Sequence, residues 1–184
     1  MRFYSFGHQN NPVLLLLPGT CCHWKSNFGS VIPLLEKDFY VVCTSYNGFD
    51  ETEQTVFPDM LTAVAKIEDY IQANFGGHIP AAYGCSMGGS FVGLLIQRGN
   101  IHIDHGILGS SDLVTPLEDG ISVPGTAVHI FYAVKMGKQY EARYRQHFKD
   151  PDIRTHDMQH EELLVCYPQQ WADEVRLCCG MNKK

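Results

Sequence analysis

The sequence predicts an α/β fold: a three-layer sandwich around a mostly parallel central sheet, in one domain spanning residues 1–184. Three observations carry this expectation. Short continuous apolar runs alternate along the chain with stretches of helical spacing. The runs are apolar at successive positions rather than at every second one, as in strands covered on both faces. A chain of 184 residues with 45% hydrophobic content is long enough to bury one sizeable core.

The elements follow in order. Val13–Leu17 reads as a buried strand closed by Pro18-Gly19. Residues 27–37 read as a helix that Pro33 bends or breaks. Residues 39–44, rich in β-branched side chains, form a second strand, and Asn47-Gly48 marks a turn. Pro58 suits the first position of a helix in which Leu61, Val64, Ile67 and Ile71 recur at helical spacing, with Gly76-Gly77 at its end. Residues 79–83 form a third strand and residues 86–98 a helix. Residues 105–109 are a fourth strand, and residues 110–125, with Pro116, Gly120, Pro124 and Gly125, a loop. Residues 128–134 are a fifth strand, followed by a helix with a Tyr140, Tyr144, Phe148 stripe that faces the core. Residues 152–155 form a short last strand. The chain is helical from Glu161, is interrupted at Pro168, and turns Trp171 and Val175 inward.

Composition narrows the function. The net charge is −6, and no long basic run is present, so no nucleic-acid partner is expected. The longest apolar run, Val13–Leu17, is too short for a bilayer span or a signal peptide, so a cytoplasmic protein with no membrane partner is expected. Seven cysteines, an odd number with no C-x-x-C spacing, read as reduced and mostly buried thiols rather than a disulfide framework.

The most informative stretch is Gly84-Cys85-Ser86-Met87-Gly88, which fits G-x-S-x-G between a predicted strand and a predicted helix. A turn this tight needs glycine where neighbours leave no space for a Cβ. It would hold the Ser86 hydroxyl exposed beside a helix N-terminus, where amide N–H groups can meet an oxyanion. In a parallel sheet the ligand site lies at the carboxyl ends of the strands, and Gly19, Ser86, Asp112 and His160 all follow predicted strands.

These features resemble the α/β-hydrolase superfamily from about Val13 to Val175. The run Leu14-Leu15-Leu16-Leu17-Pro18-Gly19-Thr20 is similar to the family's strand and oxyanion loop, with Pro18 where histidine is usual. The resemblance implies Ser86 as nucleophile, with the Thr20 and Met87 N–H groups as the oxyanion hole. The segment 157–164 is similar to the late loop that carries the family's histidine, here His160. The resemblance also implies a small, lidless core without a cap domain, and initial antiparallel strands that are missing or vestigial.

A serine hydroxyl needs a base within reach, and the base needs an orienting acid. His160 is the base expected here. The acid is open between Asp112, which follows the fourth strand and also suits a turn or cap, Glu141 on the next helix, and no acid at all. Trp24, Tyr46, Phe49 and Met87 lie on loops at this edge and are expected to form an apolar substrate wall. His23 is a further candidate for the mouth, and His105 and His129 read as structural strand residues. His156 and His160 have an i, i+4 metal spacing, but Asp157 stands where a zinc protease needs Glu, so no metal is expected. Cys85 points away from the turn apex, and Cys21 and Cys22 are expected to be small buried packing residues. Lys135, Lys138, Arg143, Arg145 and Lys149 read as a solvated helix face. The reading is therefore a serine hydrolase acting on a small-molecule ester or related acyl compound, without a cofactor. The alternative is a binding or sensing module that kept the fold and lost turnover.

Overall fold

The structure is a computed structural model and describes residues 1–113, 115 and 117–181. Pro116 of the expected loop lies outside the described residues, as do Val114 and residues 182–184. Seven strands form one sheet: β1 (Arg2–Phe6), β2 (Val13–Leu17), β3 (Tyr40–Ser45), β4 (His78–Cys85), β5 (His102–Gly109), β6 (Ala127–Ala133) and β7 (Asp152–His156). Their spatial order is β1-β3-β2-β4-β5-β6-β7. Only β1 runs antiparallel, against β3, and the other neighbours pair in parallel. The mostly parallel sandwich expected from the apolar runs is the observed architecture.

Helices cover both faces. One face carries α3 (Met60–Phe75), α4 (Met87–Arg98) and α5 (Gln139–His147), and the other carries α1 (Trp24–Phe28), α2 (Ile32–Leu35), α6 (Glu162–Cys166) and α7 (Pro168–Cys178). Alternate residues of β2 serve the two cores. Leu15 and Leu17 pack with Val64, Ile67, Phe91 and Leu95, whereas Leu14 and Leu16 pack with Phe28, Trp171 and Val175. Leu14 to Leu17 are all 0% exposed. Each leucine buried in this way stabilises the fold by roughly 1.5–3 kcal/mol before entropy is counted. No helix among the described residues is long and apolar enough to cross a membrane.

Several expectations are corrected. The first antiparallel strand is present: β1 lies along β3, with Phe3 stacked on Tyr70 at 3.7 Å and Phe6 against Trp24. As a half-covered edge strand it lacks a continuous apolar run. Residues 27–37 split at Gly29-Ser30 into α1 and α2, and Pro33 sits in the first turn of α2, where its missing N–H does no harm. Helix α3 is opened by Asp59, whose carboxylate accepts the Thr62 N–H at 2.8 Å, and not by Pro58. Leu61 leaves the inward stripe and is 55% exposed, while Met60 and Ala63 of the same turn pack on the core. Tyr144 and Phe148 are buried as expected, although Phe148 caps α5 rather than lying inside it. The thiols are free but not mostly buried: Cys43, Cys85 and Cys178 are buried, while Cys21 and Cys166 are exposed.

Two glycines test where backbone contact is obligatory. A Cβ on Gly88 would lie 2.0 Å from the Leu17 carbonyl oxygen, whereas Gly99 ends α4 at φ 63° with open space around it. Gly88→Ala is expected to lower unfolding stability by more than about 3 kcal/mol or to prevent folding. Gly99→Ala is expected to lower it by only about 1 kcal/mol. Chemical denaturation of the two variants measures the difference.

Candidate active site

The site is built around one residue between β4 and α4. Ser86 has φ 52° and ψ −114°, a conformation that L-residues rarely adopt. Its N–H donates to the Gly109 carbonyl at 2.8 Å, and its own carbonyl accepts the Gly89 N–H at 2.9 Å. The turn closes because Gly84 and Gly88 lack side chains: a Cβ on Gly84 would lie 2.0 Å from the Gly88 carbonyl oxygen. Ser86 is half-buried at the apex, and the N-terminus of the 12-residue helix α4 stands directly behind it. The residue before it is poorly suited to nucleophilic work, because burial pushes the Cys85 thiol far above its ordinary pKa.

The loop after β2 meets this apex. A Cβ on Gly19 would stand 3.5 Å from the Ser86 Cβ, so the two backbones face each other closely. Two side chains hold the loop: Asn27 Oδ1 accepts the Gly19 N–H at 2.8 Å, and the Tyr46 hydroxyl donates to the Pro18 carbonyl at 3.0 Å. Thr20 follows at the exposed tip. Among the described residues, no hydrogen bond occupies the Thr20 or Met87 amide. For Met87 the reason is positional, since a helix's first amides have no intrahelical acceptor.

The expected apolar wall is largely not a wall. Trp24 is buried in α1 against Tyr4 and Phe6, and Tyr46 is buried beneath the loop it holds. Both side chains are consumed by packing, so Tyr46 positions the Pro18-Gly19 loop rather than facing a ligand. Phe49 is half-buried and stacked on Phe57 at 5.5 Å, and Met87 is 8% exposed. His23 caps α1, its Nδ1 accepting the Lys25 N–H at 3.3 Å. The Cys21-Cys22 pair is not buried packing: Cys21 is exposed and Cys22 half-buried on the turn, with Cys21 at φ 56°.

His160 lies in the turn between β7 and α6, with 47% of its side chain exposed. Desolvation lowers its pKa, and the charge of Asp112 works the other way, so the two side chains share one electrostatic environment. The Asp112 loop is anchored by Tyr144, whose hydroxyl donates to the Ser111 carbonyl at 2.5 Å, and by Arg143, which donates to the Asp112 carbonyl at 2.7 Å. Glu141 pairs with Arg145 at 2.8 Å on α5. Arg143, Arg145 and the neighbouring lysines form the solvated face expected of them. Among the described residues His160 makes no hydrogen bond to Ser86 or to Asp112, so the three are gathered on one edge without being joined. The His156 and His160 metal spacing is not realised on a helix, because His156 ends β7.

Glu161 was not anticipated as part of this site. It adopts φ 60°, and both carboxylate oxygens are fully buried without a hydrogen-bond partner among the described residues. Burial raises its pKa to about 7, opposed by the nearby Cys85 thiol and Ser86 N–H, which favour the charged form without reaching hydrogen-bond geometry. It lines a cavity of about 10 Å³ behind the turn with Tyr83, Ser110, His156 and Trp171. A glutamate at a helix start normally complements the helix dipole from solvent, so nothing in the local sequence points to burial.

Residues 12–174 match the family described as alpha/beta hydrolase fold. This chain belongs to that family. Among curated proteins none matches it in sequence. Solved structures share the architecture at low identity. A lipase-esterase related protein from Clostridium acetobutylicum is similar with a TM-score of 0.76 at 14% identity, covering 96% of this chain and 98% of that one. The type II thioesterase BorB from the borrelidin biosynthetic cluster gives 0.75 at 15%, covering 100% and 97%. The enol-lactonase from Burkholderia xenovorans LB400 gives 0.73 at 11%, covering 97% and 96%. At such identities the likeness concerns the fold. With no long segment inserted between β5 and β6, this hydrolase fold is lidless.

Two outcomes test the buried groups. Glu161 has an ordinary value of 4.5 and a folded value of about 7, so ionising it opposes folding. Its penalty is absent below pH 4.5, grows between pH 4.5 and 7, and is constant above, at roughly 3 kcal/mol. Glu161→Gln is therefore expected to unfold at higher denaturant than the wild type at pH 8 and at similar denaturant near pH 4. Tyr46→Phe leaves the buried Pro18 carbonyl without its donor and is expected to lower stability by about 1–3 kcal/mol in the same assay.

Proposed function

We propose that this hydrolase-fold chain is a serine hydrolase that cleaves an ester or related acyl compound through an acyl-enzyme on Ser86. The observation that carries the reading is the backbone of Ser86, held at φ 52° and ψ −114° against Gly19 and the start of α4. Strain of this kind is worth about 1–3 kcal/mol and persists where the surroundings enforce it. The Thr20 and Met87 amides, which no hydrogen bond occupies among the described residues, support the reading.

In this mechanism Ser86 Oγ attacks the acyl carbonyl carbon while His160 takes its proton. The developing oxyanion accepts the Thr20 and Met87 N–H groups, a type of contact worth roughly 3 kcal/mol each. The tetrahedral intermediate collapses as His160 returns the proton to the leaving group. Water, deprotonated by His160, then attacks the acyl-enzyme and releases the acid and Ser86. Asp112 orients the imidazole and stabilises its charged form. The half-exposed His160 ring rotates to make both hydrogen bonds when substrate closes the site, since catalytic contacts are often long in an unliganded enzyme. The structural relatives named above include a thioesterase and an enol-lactonase. Acyl transfer to water is the chemistry those names share, and the lidless mouth suits a small or loosely held acyl group.

The missing hydrogen bonds at His160 favour one other reading, a binding or sensing module without turnover. A fluorophosphonate probe separates the two. The hydrolase reading expects stoichiometric labelling that Ser86→Ala abolishes, and absence of Ser86-dependent labelling would favour the module. Turnover of short p-nitrophenyl esters is expected to fall by about 10³–10⁴ in Asp112→Asn. Because desolvation depresses the His160 pKa, the acid limb of kcat/KM is expected below pH 6.5.

A further inference from the structure

At the opposite end of the sheet, three side chains with metal-ligand chemistry converge, and none takes part in the site above. His78 opens β4 and pairs in register with His102, which opens β5. Asp104 lies two residues beyond His102 and so projects from the same face of the strand. His78 Nε2 stands 2.9 Å from Asp104 Oδ1, and His102 Nε2 stands 3.2 Å from the same oxygen. All three ligand atoms lie within 4.8 Å of one another.

We propose that His78, His102 and Asp104 bind one divalent transition-metal ion of the zinc type. In a tetrahedral site with bonds near 2.0–2.1 Å, neighbouring ligand atoms stand about 3.3 Å apart. The two nitrogen–oxygen distances are already close to that edge, and no pair of ligand atoms stands farther apart than 4.8 Å. Their exposure leaves them free to adjust: the side chains of His78, His102 and Asp104 are 54%, 39% and 37% exposed. The remaining coordination position opens to solvent and would be filled by water.

The surroundings also keep the ligating nitrogen clear. Gly125 lies over His102 with φ 81°, and a Cβ there would come within 3.3 Å of Nε2. The donor set decides the class of ion. Two imidazoles and one carboxylate suit zinc, cobalt, nickel or copper, whereas calcium takes six to eight oxygens and magnesium keeps most of its water. The neighbouring histidines do not compete, because His105 faces His129 at 3.3 Å and His129 is held by Asp152 at 2.9 Å.

The ion would act as a clip rather than as a catalyst. His78 precedes Ser86 by eight residues along β4, about 26 Å at 3.3 Å per residue. At that distance it touches no reacting atom. It ties together the first residues of two central strands, where the chain enters the sheet.

The experiment uses the full-length protein, stripped with a chelator and titrated with Zn²⁺ alone at pH 7.5 by calorimetry, with thermal unfolding measured alongside. The expected result is one ion per chain at micromolar Kd. At a hundredfold excess over Kd, the midpoint should rise by about 5–10 °C. His102→Ala and Asp104→Asn are expected to weaken binding at least tenfold and to remove the rise in midpoint, while the exposed-thiol variant Cys21→Ser/Cys166→Ser keeps both. His78 is exposed and His102 and Asp104 are half-buried, so the ion-free variants should unfold within a few degrees of the wild type. Failure to bind Zn²⁺ at millimolar concentration would show a purely hydrogen-bonded His–Asp–His cluster and overturn the proposal. So would binding that survives both His102→Ala and Asp104→Asn.

Discussion

The structure depends on a backbone contact with no side chain in it. Helix α4 can sit on the end of β2 only because Gly88 presents nothing to the Leu17 carbonyl, and Gly84 presents nothing to Gly88. Gly89 repeats the theme against Ser111, where a Cβ would come within 2.6 Å of the serine Cβ. These approaches tie β2, β4, α4 and the loop after β5 into one junction. The strain at Ser86, about 1–3 kcal/mol, is offset by the helix that follows, whose residues from Met87 to Ile96 are all buried. Loosening any of these contacts would release the strain and lose the geometry that distinguishes Ser86 from other serines in the chain.

Around that junction polar groups divide by depth. In front, His160 is half-exposed and Thr20 exposed, so both are free to respond to a substrate. Behind, Cys85, Tyr83 and the Glu161 carboxylate are buried, and burial raises the pKa of all three. A low-dielectric wall of this kind strengthens the field of the amides facing outward. The loops on either side are each held in part by a buried hydroxyl, Tyr46 on Pro18 and Tyr144 on Ser111. Neither tyrosine needs to touch a ligand to matter to the site, because each satisfies a buried carbonyl that would otherwise pull its loop out of register.

Much of this was legible in the chain itself. Val13–Leu17 had to be a doubly covered strand, because five successive apolar residues leave no face for water. The strand–turn–helix around Ser86 was legible because the glycines that permit it are spaced along a few consecutive residues. Leu61 and Trp24 show the limit of the same reasoning. Each is apolar and correctly spaced or placed, yet Leu61 faces solvent and Trp24 is packed under β1, since periodicity says which residues share a face and not what lies opposite it. Strand β1 was missed for a related reason: as an edge strand it lacks the signal that marks its neighbours.

The order of the chemistry-bearing residues, the glycine spacing of the turn at Ser86 and the apolar runs of the strands were determined by local sequence, because each is contained within a few residues. The burial of Tyr46 and Glu161, and the convergence of His78 with Asp104, were decided only in the tertiary structure. Those facts depend on distances between segments more than twenty residues apart. Such distances are set by how the helices seat on the sheet, a global packing result that no short window of sequence contains.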